Sequence, residues 1–128
     1  MVSCKCQRNQ ESEKNNFVTL YSSDYGGKDK ESYLVINSQE NLNNLFKELH
    51  IEDFKSVDFA KNNVVALFLG EKSTGGHGIA IESVRTENDT TFVKVKKIKP
   101  EPGSMVTQAF TNPYYLAVIP KTKQVVFE

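Results

Sequence analysis

His77 stands between Gly76 and Gly78 in the stretch Gly70-Glu71-Lys72-Ser73-Thr74-Gly75-Gly76-His77-Gly78, which crowds an imidazole, a carboxylate, an amine and two hydroxyls between glycines. General-base work by His77 would need an orienting acid and a substrate pocket, and neither a Ser-His-Asp nor a Cys-His arrangement is legible around it. A small hydrolase or metal enzyme pairing His77 with Glu71 is therefore a weak reading. A recognition-loop side chain and an ordinary exposed loop histidine both stand above it. Phosphate cradling fails on spacing: a Walker loop sets its Lys and hydroxyl after the last Gly and opens a helix, whereas Lys72, Ser73 and Thr74 precede Gly75-Gly76 and a strand follows. As a lone ligand His77 cannot close a metal site. The expectation is a non-enzymatic protein with no cofactor and no metal.

A second stretch, Pro100-Glu101-Pro102-Gly103-Ser104-Met105-Val106-Thr107-Gln108-Ala109-Phe110-Thr111-Asn112-Pro113-Tyr114, combines prolines and a glycine with hydroxyls and apolar side chains. Loops this long in a small domain are functional or disordered, and proline with apolar anchors argues against disorder. Met105, Val106 and Phe110 either plug the core or present a sticky rim. Both stretches pair backbone permissiveness with small hydroxyl residues, the chemistry of ordered loops that offer main-chain donors and acceptors to a partner. Side by side on a rigid β scaffold they would form one docking patch. Its candidate contacts are Lys72, Thr74, Gly75, Gly76, His77, Gly103, Met105, Thr107, Gln108, Thr111 and Tyr114. Among these, Thr74, Gln108 and Thr111 can supply hydrogen bonds without burying charge.

Lys94, Lys96, Lys97 and Lys99 with Arg85 and Phe92 make a basic ridge of the kind single-stranded nucleic-acid binders use. Lys94 and Lys96, however, alternate with Val93 and Val95, which is the wet face of a half-buried strand. With 16 basic against 16 acidic residues there is also no global field for nucleic acid or anionic lipid. No nucleic-acid partner is expected.

The elements that must position these loops follow from periodicity. Phe17-Val18-Thr19-Leu20-Tyr21 and Ser32-Tyr33-Leu34-Val35-Ile36 read as strands flanking the Asp24-Tyr25-Gly26-Gly27 turn, a first hairpin or strand pair. Asn37 can cap a helix with Glu40 reaching back, and Leu42, Leu45, Phe46 and Leu49 follow at i, i+3, i+4 and i+7. Lys47 and His50 suit the negative end of its dipole, so His50 is assigned no chemistry. Val64-Val65-Ala66-Leu67-Phe68-Leu69, apolar on both faces, belongs in a sheet centre. Residues 79–84 and 91–96 flank Glu87-Asn88-Asp89 as a long hairpin. Residues 114–119 and 124–127 flank Pro120-Lys121-Thr122-Lys123 as a closing hairpin. The expected fold is α+β: a mainly antiparallel sheet of about seven strands, sandwich-like or barrel-like, with one amphipathic helix packed on it.

At 128 residues the sequence makes one domain, expected over 17–128 behind a polar N-terminal tether over 1–16. Cys4 and Cys6, one residue apart in that tether, cannot bridge distant parts of a fold. Met1-Val2-Ser3-Cys4 resembles the end of a bacterial lipobox with Cys4 as the lipidated residue, although no apolar stretch precedes it; an inert tail and half a metal site are the competing readings.

The two loop segments resemble those of the PrcB C-terminal domain family, named for a lipoprotein subunit of a bacterial protease complex. Gly70, Lys72, Thr74, Gly75 and Gly76 match its first motif; Pro102, Gly103, the run from 105 to 109, Thr111, Pro113 and Tyr114 match its second. Ser73, His77 and Ser104 stand where the family often shows Pro, Tyr and Cys. The resemblance covers about residues 62 to 120. It implies a secreted or membrane-anchored extracytoplasmic accessory domain that helps assemble or stabilise a protein partner such as a protease, with any membrane contact made through an N-terminal lipid. Two other expectations stand beside it. Thr74-Gly75-Gly76-His77 is faintly similar to the Thr-Thr-Gly-Tyr loop of chagasin-type protease inhibitors, and a structural cell-envelope module would use the same scaffold.

Overall fold

The computed structural model describes residues 17–53, 55–106 and 108–128, so the tether over 1–16 with Cys4, and Thr107, lie outside the described residues. The elements run β1 (Val18–Ser23), β2 (Ser32–Ile36), α1 (Gln39–Glu48), β3 (Asn62–Phe68), β4 (Gly78–Glu87), β5 (Thr90–Ile98), β6 (Tyr114–Pro120) and β7 (Gln124–Phe127). They form a four-stranded sheet in the order β1-β6-β3-β2 and a three-stranded sheet in the order β4-β5-β7.

β3 is apolar at nearly every position, and since successive side chains point to opposite faces it needs cover on both sides. Val64, Ala66 and Phe68 pack with Leu42, Leu45, Phe46 and Leu49 of α1, while Val65 and Leu67 pack with Ile79, Ile81, Val84 and Val93 of the smaller sheet. β6 repeats the division, with Tyr114 and Leu116 toward the helix and Tyr115, Ala117 and Ile119 toward the smaller sheet. The result is three layers with β3 and β6 at the centre of the middle one. The α+β expectation holds, and the two sheets form an open sandwich rather than a closed barrel.

Two strand pairings differ from those expected. β1 and β2 do not pair with each other: they occupy opposite edges of the sheet, β1 on β6 and β2 on β3. The doubly apolar strands take the centre, and the strands with one wet face are left at the edges. β7 likewise does not close a hairpin with β6 but crosses to the other sheet and pairs in parallel with β5. The connecting segment is drawn there by backbone bonds from Lys121 N–H to Lys61 O (3.1 Å) and from Lys123 N–H to Asp89 O (3.1 Å). Phe127 then lies against Tyr33, ring centroids 5.2 Å apart. The β4–β5 hairpin forms as expected, turning on Asn88 and Asp89 at φ 50 and 59, the left-handed pair a two-residue turn requires.

The helix cap also moves by one residue. Ser38, not Asn37, is the N-cap: its Oγ accepts from Asn41 N–H at 3.2 Å, so Glu40 has no box to close. His50 lies beyond the helix at φ 60, with His50 N–H on Lys47 O (3.1 Å) and Ile51 N–H on Phe46 O (2.8 Å). These are the paired bonds of a Schellman stop, with Ile51 returning to the core.

Candidate functional site

Strand register gathers three connections at one end of the sandwich. Ser23 pairs with Tyr114, Ser32 and Tyr114 both pair with Phe68, and Gly78 pairs with Ile98. The loops 24–31, 69–77 and 99–113 therefore all leave from the same edge of the layers. The middle one leads from the larger sheet to the smaller.

The two loops singled out from sequence lie side by side and are stapled together. Lys72 and Thr111 exchange both backbone hydrogen bonds at 2.8 Å, an isolated antiparallel bridge. Thr111 Oγ1 donates to Thr74 O at 3.1 Å, and Leu69 N–H to Pro113 O at 3.0 Å. Gly76, at φ +85, lets the loops close: a Cβ there would sit 2.8 Å from Pro100 Cβ and 3.3 Å from Val106 Cγ1. Loop 24–31 is a third arm that sequence reasoning missed. Glu71 N–H donates to Asp29 O (2.9 Å), Gly27 N–H to Asn112 O (3.0 Å) and Asn112 N–H to Asp24 O (2.9 Å). Its signal was the Gly26-Gly27 pair, which reads as an ordinary turn when nothing shows what lies beside it.

Of the candidate contacts, Met105 is fully exposed and Phe110 68% exposed, so both stand on the rim and neither plugs the core. Val106 is half-buried against the Gly76 side, and Gly76, Gly103 and Gln108 are exposed. Lys72, Thr74, Gly75 and His77 are half-buried. Two residues must be reassigned. Tyr114, 7% exposed, belongs to the helix-side core beside Phe68, and Thr111, 1% exposed, is the staple rather than a contact. Both follow from strand phase: at the start of β6 the pleat turns Tyr114 inward, and the bridge to Lys72 tucks Thr111 beneath the loop.

Between the loops and the ends of the sheets lies a cleft of about 200 Å³ lined by Glu31, Leu69, Lys72, His77, Lys97, Ile98 and Lys99. Lys97 Nζ binds Glu31 Oε2 at 2.5 Å and Tyr33 OH donates to the same oxygen at 2.9 Å. The Lys97 hydrogen bond, followed by that of Tyr33, holds the Glu31 carboxyl below its usual range. The same bond to Glu31 holds the Lys97 ammonium above its own. Burial, then the Glu31 hydrogen bond, raises the Tyr33 phenol. The stability that Glu31 draws from this tie is present above its ordinary pKa of 4.5 and is lost as pH falls through the lower folded value. The Lys97 share is present below its ordinary 10.5 and is lost as pH rises through the raised value. Glu31→Gln should therefore differ in urea midpoint from the unaltered protein at neutral pH, with the gap closing at both extremes. A gap constant from acid to alkali would mean that the tie contributes no charge interaction.

Lys94, Lys97 and Arg85 of the basic ridge are paired with neighbouring carboxylates, and Lys96 and Lys99 form no ion pair among the described residues. Lys94 pairs with Glu82 at 3.0 Å, Arg85 with Glu87 (3.2 Å) and Glu128 (3.3 Å), and the Arg85 guanidinium covers the Phe92 ring at 4.1 Å. Among the described residues no three His, Cys, Asp or Glu side chains are grouped to hold a metal ion, and no helix is long and apolar enough to cross a membrane.

Residues 63–120 match the family described as PrcB C-terminal, as the loop motifs led one to expect. The matched segment spans β3 to β6 and contains both stapled loops. Comparison with curated proteins and with solved structures finds no match.

Proposed function

We propose, taking residues 63–120 as a PrcB C-terminal segment, that this protein is a non-enzymatic, extracytoplasmic accessory domain that binds a protein partner through the end of the sandwich where the three loops meet. In this reading it assembles or stabilises a secreted protease, and a lipid on Cys4 holds it to the envelope. The observation that carries the reading is the exposure of Met105 and Phe110 on a loop stapled to its neighbour through Lys72 and Thr111. Ile98 and Tyr25, both exposed, belong to the same end. Scattered apolar side chains on a surface are ordinary, but several gathered on braced loops mark an interaction site. Bracing also lowers the ordering cost of binding, since the loops need not be fixed afresh.

The test is the double variant Met105→Glu/Phe110→Glu. Both side chains project into solvent, so stability should stay within about 0.5 kcal/mol of the unaltered protein. Recovery of a stoichiometric partner from native secreted and envelope fractions should fall at least 30-fold, roughly the loss of a central hot-spot pair. Equal recovery by both proteins would remove the loop tips from the interface. Titration into papain-like and serine protease assays separates the inhibitor reading, which requires sub-micromolar inhibition. A structural envelope module would instead recover mixed envelope material with no fixed stoichiometry.

A further inference from the structure

We propose that the cleft between Lys72, Lys97 and Lys99 is a carboxylate-recognition subsite, which takes an acidic side chain or the C-terminal carboxylate of the protein partner. The inference rests on the protein-binding reading and names the partner's chemistry at one point. The cleft sets three lysines and His77 against a single carboxylate, Glu31, in a protein whose formal net charge is zero. Glu31 is already committed, with Lys97 and Tyr33 both on its Oε2. Neither Lys72 nor Lys99 forms an ion pair with any carboxylate among the described residues, and Lys72 reaches Glu31 only through a longer-range charge interaction.

Surplus positive charge alone would suit many anions, and the dimensions narrow the choice. At about 200 Å³ the cleft is smaller than the roughly 300–1,000 Å³ sites that enclose small-molecule ligands. It has room for one side chain or one polypeptide end. Its walls add Leu69 and Ile98, so a carboxylate flanked by aliphatic groups meets both lysine charge and apolar surface. A nucleic-acid strand would need a basic track beyond the cleft, and Lys94 and Arg85 further along β4 and β5 are already paired with Glu82, Glu87 and Glu128. The Glu31–Lys97 ion pair links the residue just before β2 in one sheet to the end of β5 in the other. Salt should weaken the contact, since the ammonium groups are solvent-accessible.

The experiment is a backbone-amide NMR titration of the full-length protein with three tripeptides: Ac-Leu-Glu-Leu-amide, Ac-Leu-Gln-Leu-amide and Ac-Leu-Gln-Leu with a free C-terminal acid. Either acidic peptide is expected to shift the amides of Lys72, His77 and Lys99, and which of the two binds tells a glutamate side group from a terminal acid. The neutral amide should bind at least about tenfold more weakly, as should the acidic peptides to Lys72→Ala/Lys99→Ala. Lys99→Glu alone gives a second variant outside the Lys72 bridge, and the spectra themselves report whether each variant is folded. Equal binding of the neutral peptide, unchanged affinity in both variants, shifts confined to other surfaces, or preference for an oligothymidylate would each overturn the subsite. This readout needs no natural partner. Loss of partner recovery in the Met105/Phe110 variant with no acidic-peptide binding would sink the subsite and leave the docking surface standing, whereas the reverse pattern would sink the docking surface alone.

Discussion

Phe46→Ala is expected to cost about 3–5 kcal/mol of unfolding free energy, the usual penalty for emptying a large aromatic site in a packed core. The ring is fully buried and lies edge-on to Tyr21 at 5.5 Å between centroids. It belongs to the layer where α1 covers Val64, Ala66 and Phe68 of the central strand. Truncation therefore opens a cavity at the seam between helix and sheet, and Tyr21, whose hydroxyl donates to Asp53 O, loses the partner of its inner edge. Domains of this size have about 5–15 kcal/mol in total, so the variant should lose a large share of its stability. Phe46→Leu, which keeps most of the volume, should cost less than about 1.5 kcal/mol. Urea denaturation followed by circular dichroism measures both. An alanine variant no weaker than the leucine one would mean that α1 does not seal the sheet.

The second large effect lies at the start of the stapled loop. Gly70 has φ +91, and a Cβ there would meet backbone atoms only: Glu31 N at 2.9 Å, with Asp29 O and Lys30 C at 3.3 Å. Backbone cannot swing aside as a flexible side chain can, so Gly70→Ala combines left-handed strain with a clash. A loss of about 2–3 kcal/mol follows. Loop 24–31 would be pushed away from Glu71, whose N–H donates to Asp29 O at 2.9 Å, and Glu31 would leave its place in the cleft. Gly103 is the natural control: φ is +79, yet nothing lies within 4 Å of its virtual Cβ, so alanine there should cost only about 1 kcal/mol of strain. Hydrogen exchange at the Glu71 amide should speed up in the Gly70 variant and not in the Gly103 variant. If the two alanines cost the same, the close approach of the third arm is not what Gly70 provides.

Much of the candidate site was readable because its signals are local. Gly76 and Gly103 both adopt positive φ, and the apolar positions of the long loop were recognised as either plugs or rim before any coordinates decided between them. What stayed hidden depends on strand phase and on neighbours distant in sequence. Tyr114 looks like the last residue of a contact loop and is the first inward residue of β6; Thr111 looks like a surface hydroxyl and is a buried staple. Glu31, Lys97 and Tyr33, which shape the cleft, come from two sheets and have no spacing signature that could have joined them.

Sequence by itself determined the elements, because each follows from a short-range pattern: the 3.6-residue stripe of Leu42, Leu45, Phe46 and Leu49, the unbroken apolar run of β3, and the turn residues Glu87-Asn88-Asp89 between two alternating segments. It also pointed to the family whose model matches residues 63–120, because loop motifs are contiguous strings. Only the tertiary structure decided that β1 and β2 part to opposite edges, that β7 crosses to run parallel with β5, and that loop 24–31 joins the other two. Those outcomes depend on which strands must bury both faces. That competition is settled among all the described strands at once, when the doubly apolar β3 and β6 take the centre, and it cannot be read from any one of them.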